Sequence, residues 1–226
     1  MRIQALITAT VVAFAAMPTV VSGQTPSGVT FGTLIGANIA TISDADKGFG
    51  EVVGAAFDKK KRIGLKAGVF LKIPLAGMLS LQPELHYAQS GVRIESAAGN
   101  VASFDVDLGY VEVPVLLRLD VGGSSAIHPM LLVGASGARR VQCNFSLTTA
   151  STSIEQQCDA DGAAADELKK SDYSVVGGAG LAGNLGGRTI SLQLRYSLGL
   201  ASIASENTDG VKPKNRALAV LLGLGF

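Results

Sequence analysis

The chain has 226 residues, of which 47% are hydrophobic, 5% aromatic and 16% charged, with 28 glycines, no tryptophan and a net charge of +1. That length suits one domain. The near-neutral balance, without a basic stripe or an acidic run, excludes the usual electrostatic footprint of a nucleic-acid binder and a solvating tail. Mean hydropathy is high at +0.36, yet beyond the N-terminal segment no uninterrupted apolar run reaches the length a membrane helix needs. Apolar residues spread thinly among polar and small ones point to strands rather than membrane helices.

The N-terminus has the layout of a secretory signal. Arg2 supplies the positive start, Ile3 to Met17 form an apolar stretch too short to span a bilayer, and Pro18 breaks it. Val21, Ser22 and Gly23 suit a cleavage site, which sets a signal peptide at residues 1–23 and a mature domain at 24–226. The alternative is an uncleaved anchor helix. Removal of Arg2 leaves 18 basic and 18 acidic residues.

The mature chain alternates with a period of two, broken by Gly, Pro and polar clusters, and this is the strand signature. Eight strands are expected, at about Val29–Ser43, Arg62–Ile73, Met78–Ile94, Phe104–Val121, Ala126–Gln142, Asp172–Leu185, Arg188–Ile203 and Asn215–Phe226. From Met78, the residues Leu79, Leu81, Pro83, Leu85 and Tyr87 take one face, and Ser80, Gln82, Glu84 and His86 take the other. In the seventh strand Ile190, Leu192, Leu194, Tyr196, Leu198 and Leu200 alternate with small or polar residues.

The connections sort by length. Short ones fall at Pro74–Gly77, Gly122–Ser125 and Gly186–Gly187; long ones at Asp44–Lys61, Glu95–Ser103, Cys143–Ser171 and Ala204–Lys214. All short turns then lie at one end of the sheet, with both termini, and all long loops at the other. An up-and-down transmembrane β-barrel has this pattern, with its loops outside the cell. A Greek-key sandwich has no reason for it. In lipid the sheet must close, because an open edge leaves backbone groups unpaired. The fold expected is therefore all-β: an eight-stranded antiparallel barrel in the bacterial outer membrane. Its fold-level rival is a soluble lipocalin-like barrel with the apolar faces turned inward. Phe226, the last residue of an amphipathic strand, looks like the signal that outer-membrane assembly machinery recognises; chance would also place an aromatic there.

Gly109-Tyr110-Val111-Glu112-Val113-Pro114-Val115-Leu116-Leu117-Arg118 resembles the signature strand of the PorT-like outer-membrane barrel family, Tyr-x-Glu-x-Pro-x-Leu-x-Lys. Leu79 to Tyr87 and Arg195-Tyr196-Ser197-Leu198-Gly199-Leu200 are similar to two further segments of that family, in the same order. The resemblance implies a barrel and no particular activity. The chain departs from it in a scarcity of aromatics, leaving Phe31, Phe70, Tyr87, Tyr110, Tyr173, Tyr196 and Phe226 as candidates for the interfacial girdles.

Gln82, Glu84, Glu112, Arg118, Gln193 and Arg195 are expected in the lumen, joined by Lys66 and Lys72. An eight-stranded barrel has an interior just wide enough to be filled by side chains, and charges there need partners. Glu84 and Glu112 facing Arg118 and Arg195 would form a structural plug; the other reading is a narrow ion path. Cys143 and Cys158 bracket a polar stretch of the longest loop, and export favours their oxidation to a disulfide over two free thiols. With no His near them a metal site is not expected. His86 and His128 stand on different strands without the Ser and carboxylate of a hydrolase, and no cofactor motif is found. Gly177-Gly178-Ala179-Gly180 lies within a strand and lacks the helix and Lys of a phosphate loop. The function expected is non-enzymatic: a structural or surface-interaction barrel, in contact with lipid, the assembly machinery and an envelope or extracellular partner. A small channel or secretion-associated barrel is the alternative, and an outer-membrane hydrolase a weaker one.

Overall fold

The computed structural model describes residues 28–42, 57–96, 103–122, 126–148, 152–157, 171–200 and 214–226. The segment expected to be a signal peptide and most of the long loops lie outside these residues. Nine strands are present among the described residues: β1 Thr30–Ile42, β2 Phe57–Ala76, β3 Leu79–Ser96, β4 Ser103–Asp120, β5 Ile127–Thr148, β6 Ser153–Gln157, β7 Ser171–Leu185, β8 Arg188–Gly199 and β9 Asn215–Gly225. Eight of them form a ring, in the order β4-β3-β2-β1-β9-β8-β7-β5, which the β5–β4 pairing closes. Every pairing is antiparallel between chain neighbours of the barrel, and β1 closes onto β9 from Gly32↔Gly225 to Ile42↔Asn215.

The ninth strand, β6, was not expected. It lies within the longest loop and pairs with the far end of β5, from Asn144↔Gln157 to Thr148↔Ser153. Its short polar sequence lacks the apolar alternation by which a membrane strand is detected, so only the β5 template marks it as a strand. For the same reason β2 begins at Phe57 rather than Arg62, and β5 runs on to Thr148 rather than Gln142. Beyond lipid, pairing continues without a hydrophobic pattern.

The short turns are tight. Gly186 and Gly187 have φ of 58° and 80°, the left-handed pair that a two-residue hairpin turn requires and that glycine adopts without penalty. Gly77 and Gly122 serve the other two, with φ of 55° and 72°. At Pro74 the strand is expected to stop, yet β2 continues to Ala76 through a register shift between Pro74 and Ala76. A bulge accommodates the missing proline donor there.

The two faces of the wall differ sharply. Leu192 and Leu194 are 50% and 51% exposed on the outside, whereas Gln193 and Arg195 between them are 1% and 3% exposed. Leu85, Val113, Val115, Leu117, Leu131, Val133, Leu181, Val220 and Leu222 continue the outward apolar band around the ring. Soluble proteins rarely expose a contiguous apolar patch of more than a few hundred Å², and this one encircles the molecule. Inside, Leu116, Met130, Leu132, Val176 and Ala182 pack as one cluster, and Leu34, Phe70, Ala219 and Leu221 as another. Phe70 and Tyr110, expected in the girdles, are buried in the lumen at 4% and 6% exposure. Both follow the inward parity of their strands, which overrides the general preference of aromatics for the interface.

Candidate functional site

The lumen collects the polar residues because they occupy every second position of strands whose other face is apolar. Glu84 on β3 and Arg195 on β8 meet across it. Arg195 Nη1 and Nη2 donate to Glu84 Oε2 and Oε1 at 2.6 and 2.8 Å. β3 and β8 stand four places apart in the eight-membered ring, so this bidentate pair bridges the full width of the barrel. Gln82 Nε2 donates to Glu84 Oε1 at 2.6 Å, and His86 Nε2 lies 2.9 Å from Glu84 Oε2. On the other side Arg195 Nε donates to Gln193 Oε1 at 2.9 Å, and Gln193 Nε2 to Ser191 Oγ at 2.8 Å.

Gln82 carries the network toward the short turns. Its Oε1 accepts from Arg118 Nη1 at 3.2 Å, and Arg118 Nε donates to Asp120 Oδ1 at 2.9 Å. Lys72 Nζ reaches Asp120 Oδ2 at 2.9 Å, and His128 Nε2 lies 3.4 Å from Oδ1. An unbroken chain of polar contacts thus runs from Lys72 to Ser191 through the middle of the bore. Nearer the loops, Lys66 Nζ and Glu112 Oε2 form a separate pair at 2.5 Å.

The four residues of the expected Glu–Arg plug therefore divide among three ion pairs. Glu84 pairs with Arg195, but Arg118 pairs with Asp120, and Glu112 takes Lys66 rather than an arginine. The barrel's stagger sets these partners: residues level in the lumen are not level in sequence. Asp120 was missed, although it lies two residues beyond Arg118 and so on the same face. The glycines of β7 have a further role here. A Cβ on Gly178 would come within 2.9 Å of the Leu194 carbonyl oxygen and 3.0 Å of Arg195 Cγ, and one on Gly180 within 2.3 Å of the Leu192 carbonyl oxygen and 3.1 Å of Met130 Cε. Small residues at these positions leave room for the large side chains that fill the barrel.

Toward the loops the filling stops and a cavity of about 50 Å³ opens, lined in part by Asn38, Tyr110 and Asp172. Cys143 lies near this end, 4% exposed and packed with Leu108 and Tyr110. Its inward direction comes from a bulge: Gly109 pairs with Gln142 but Tyr110 with Arg140, so Val141 is skipped and the parity of β5 reverses. Cys158 lies outside the described residues. At the opposite end the Phe226 amide donates to the Phe31 carbonyl at 2.7 Å, and Arg188 stands over the Phe226 ring, 5.3 Å from its centre.

A closed antiparallel ring with a lipid-facing apolar band, a polar interior and tight turns at one end defines a transmembrane β-barrel of the bacterial outer membrane. The chain belongs to the family described as outer membrane protein beta-barrel domain, whose model matches residues 22–205. Its fold is similar to three solved outer-membrane structures. Ail, the attachment invasion locus protein of Yersinia pestis, is 14% identical at a TM-score of 0.40, with 87% of this chain and 98% of that one covered. Neisserial surface protein A is 10% identical at 0.47, over 88% and 98%. OprG from Pseudomonas aeruginosa is 14% identical at 0.45, over 87% and 95%. No curated protein matches the sequence.

Proposed function

We propose that this barrel is a non-enzymatic surface protein whose lumen is a structural plug and whose loop-side wall makes the contacts that matter. The observation that carries the reading is the inequality of the strands. β8 and β9 have 12 and 11 residues, close to what a membrane strand needs, whereas β2, β3, β4 and β5 have 20, 18, 18 and 22. At about 3.3 Å per residue and a tilt near 45°, the long strands stand roughly 15–25 Å taller than an apolar band of about 25 Å. A rigid paired wall outside the membrane costs little entropy when a partner binds it.

The Glu84–Arg195 pair across the bore weighs against a channel. Glu84 and His86 are buried at the centre of that plug, out of reach of a substrate, and this weighs against a hydrolase. We further infer membership of a PorT-like subfamily, which the signature strand supports: Tyr110, Glu112, Pro114, Leu116 and Arg118 all occupy inward positions of β4, so the motif reads as a lumen-filling pattern. A signal peptide at 1–23 delivers the chain to the envelope, and Phe226 serves the assembly machinery. Cys143 and Cys158 form a disulfide beside the β5–β6 pairing: in sequence they adjoin Asn144 and Gln157, which pair there, and export favours oxidation.

The test is a trimmed wall. Replacing residues 93–105 by Asn-Gly closes the β3–β4 hairpin at the Val92↔Val106 pair. Cells carrying the trimmed barrel are expected to lose adherence to protein-coated surfaces while the barrel stays folded in the membrane. Unchanged adherence, or stepwise conductance of the intact barrel in a planar bilayer, would overturn the reading.

A further inference from the structure

The cavity above the plug has features the plug lacks. Asn38 is 3% exposed and lines it. Its Nδ2 donates to the Gln89 backbone carbonyl at 3.0 Å, which fixes the amide and leaves Oδ1 as the other end. That buried Oδ1 has no hydrogen-bond partner. Across the cavity Asp172 has one oxygen occupied: Asn215 Nδ2 donates to its Oδ2 at 2.7 Å. Asp172 Oδ1 is buried without a partner. Among the described residues no Lys, Arg or His lies within ion-pair distance of Asp172, whereas the nearby Glu112 is already paired with Lys66. Two buried acceptors, one of them a carboxylate oxygen, therefore converge on one space. Unpaired buried acceptors are costly and uncommon in folded proteins.

The missing component is a donor with positive charge. We propose that this cavity binds a primary ammonium group, with Asp172 Oδ1 and Asn38 Oδ1 as its principal acceptors and the hydroxyls of Ser174 and Ser197 as further ones. The chemistry fits a primary ammonium in three respects. It is a compact point charge with three donors and no acceptor. It matches separated single oxygens, whereas a guanidinium prefers the two parallel oxygens of a free carboxylate, and Asp172 has one oxygen taken. A cavity of about 50 Å³ has ample room for an ammonium group, which is about the size of a water molecule. A hard divalent cation would want six or more oxygens with several carboxylates, and no group of three His, Cys, Asp or Glu that could hold a metal exists among the described residues.

The source is either a free small amine or the lysine tip of a partner, and the probes separate them. The intact barrel, isotope-labelled and folded in detergent micelles, is titrated at constant ionic strength with n-butylammonium chloride, with tetramethylammonium chloride and with a short lysine-containing peptide. Saturable shifts of the amide signals of Asn38, Asp172 and Asn215 are expected with n-butylammonium and not with tetramethylammonium, which has charge but no donor. Asp172→Asn should weaken binding at least tenfold, and Asn38→Ala, which removes the second acceptor, should weaken it as well; both variants are first shown to keep the folded barrel's mobility. Tighter binding of the peptide than of the free amine assigns the site to a partner's lysine, and exclusion of the peptide assigns it to free amines. Equal shifts with both ammonium ions, or no saturation with any probe, would overturn the proposal and leave the cavity to water.

Discussion

Replacing Glu84 by Gln tests the bridge across the bore most sharply. The substitution keeps the shape and one acceptor oxygen, so Gln82 Nε2 and Arg195 Nη2 retain a partner, but it removes the charge and sets an amide NH2 against Arg195 Nη1. Arg195, 3% exposed, then stays ionised in a closed interior with no counter-charge beside it. Breaking a buried pair from one side costs about 3–5 kcal/mol, because the remaining charge is uncompensated. For a urea slope of about 1–3 kcal/mol per molar, that is a fall in midpoint of roughly 2 M. The double replacement Glu84→Leu with Arg195→Met removes both charges and should be less destabilised than either single change. The assay is urea titration of the barrel folded in lipid vesicles, scored by the folded band on a gel, since the chain has no tryptophan for fluorescence. A Glu84→Gln midpoint within about 0.5 M of the parent, or a double variant weaker than both singles, would refute the claim that this pair is a desolvated strut.

Other substitutions probe other parts. Leu192→Arg sets a charge on the lipid face beside buried Gln193 and should cost about 2–4 kcal/mol in vesicles if it lies near the bilayer midplane; in a water-facing wall it would change stability little. Leu116→Ala, at a position with no exposure, should cost about 2–5 kcal/mol as a cavity opens in the lumen, read by the same titration. Phe226→Ala should lower the amount of barrel assembled in cells while leaving refolding into vesicles unchanged, so an equal loss in both settings would make its role one of stability.

The ring was legible in the sequence because its physics is local. Alternation such as Ile190 to Leu200, and the strict order of short and long connections, follow from a wall that faces lipid on one side. What was illegible is of two kinds. Outside the membrane the pattern fades, so the ends of β2 and β5, and all of β6, are strands by pairing alone. Inside the barrel, which residues meet depends on stagger. Parity placed Glu84, Glu112, Arg118 and Arg195 in the lumen, yet only the closed ring sets Lys66 against Glu112 and Asp120 against Arg118. The Val141 bulge is a further case: no residue type announces it, and it alone turns Cys143 inward. The cavity acceptors Asn38 and Asp172 carried no signal, because a lone amide and a lone carboxylate at strand ends look like solvent-facing residues.

The central claim is a closed, lipid-embedded barrel, and one comparison tests it most directly: the mobility of the outer-membrane fraction on a denaturing gel, unboiled against boiled. The account predicts a protein that stays with the outer membrane after carbonate washing and migrates as a compact band until boiling opens the ring. A protein released into the soluble periplasm, with the same mobility in both lanes, would contradict it and would mean that the apolar band faces something other than lipid.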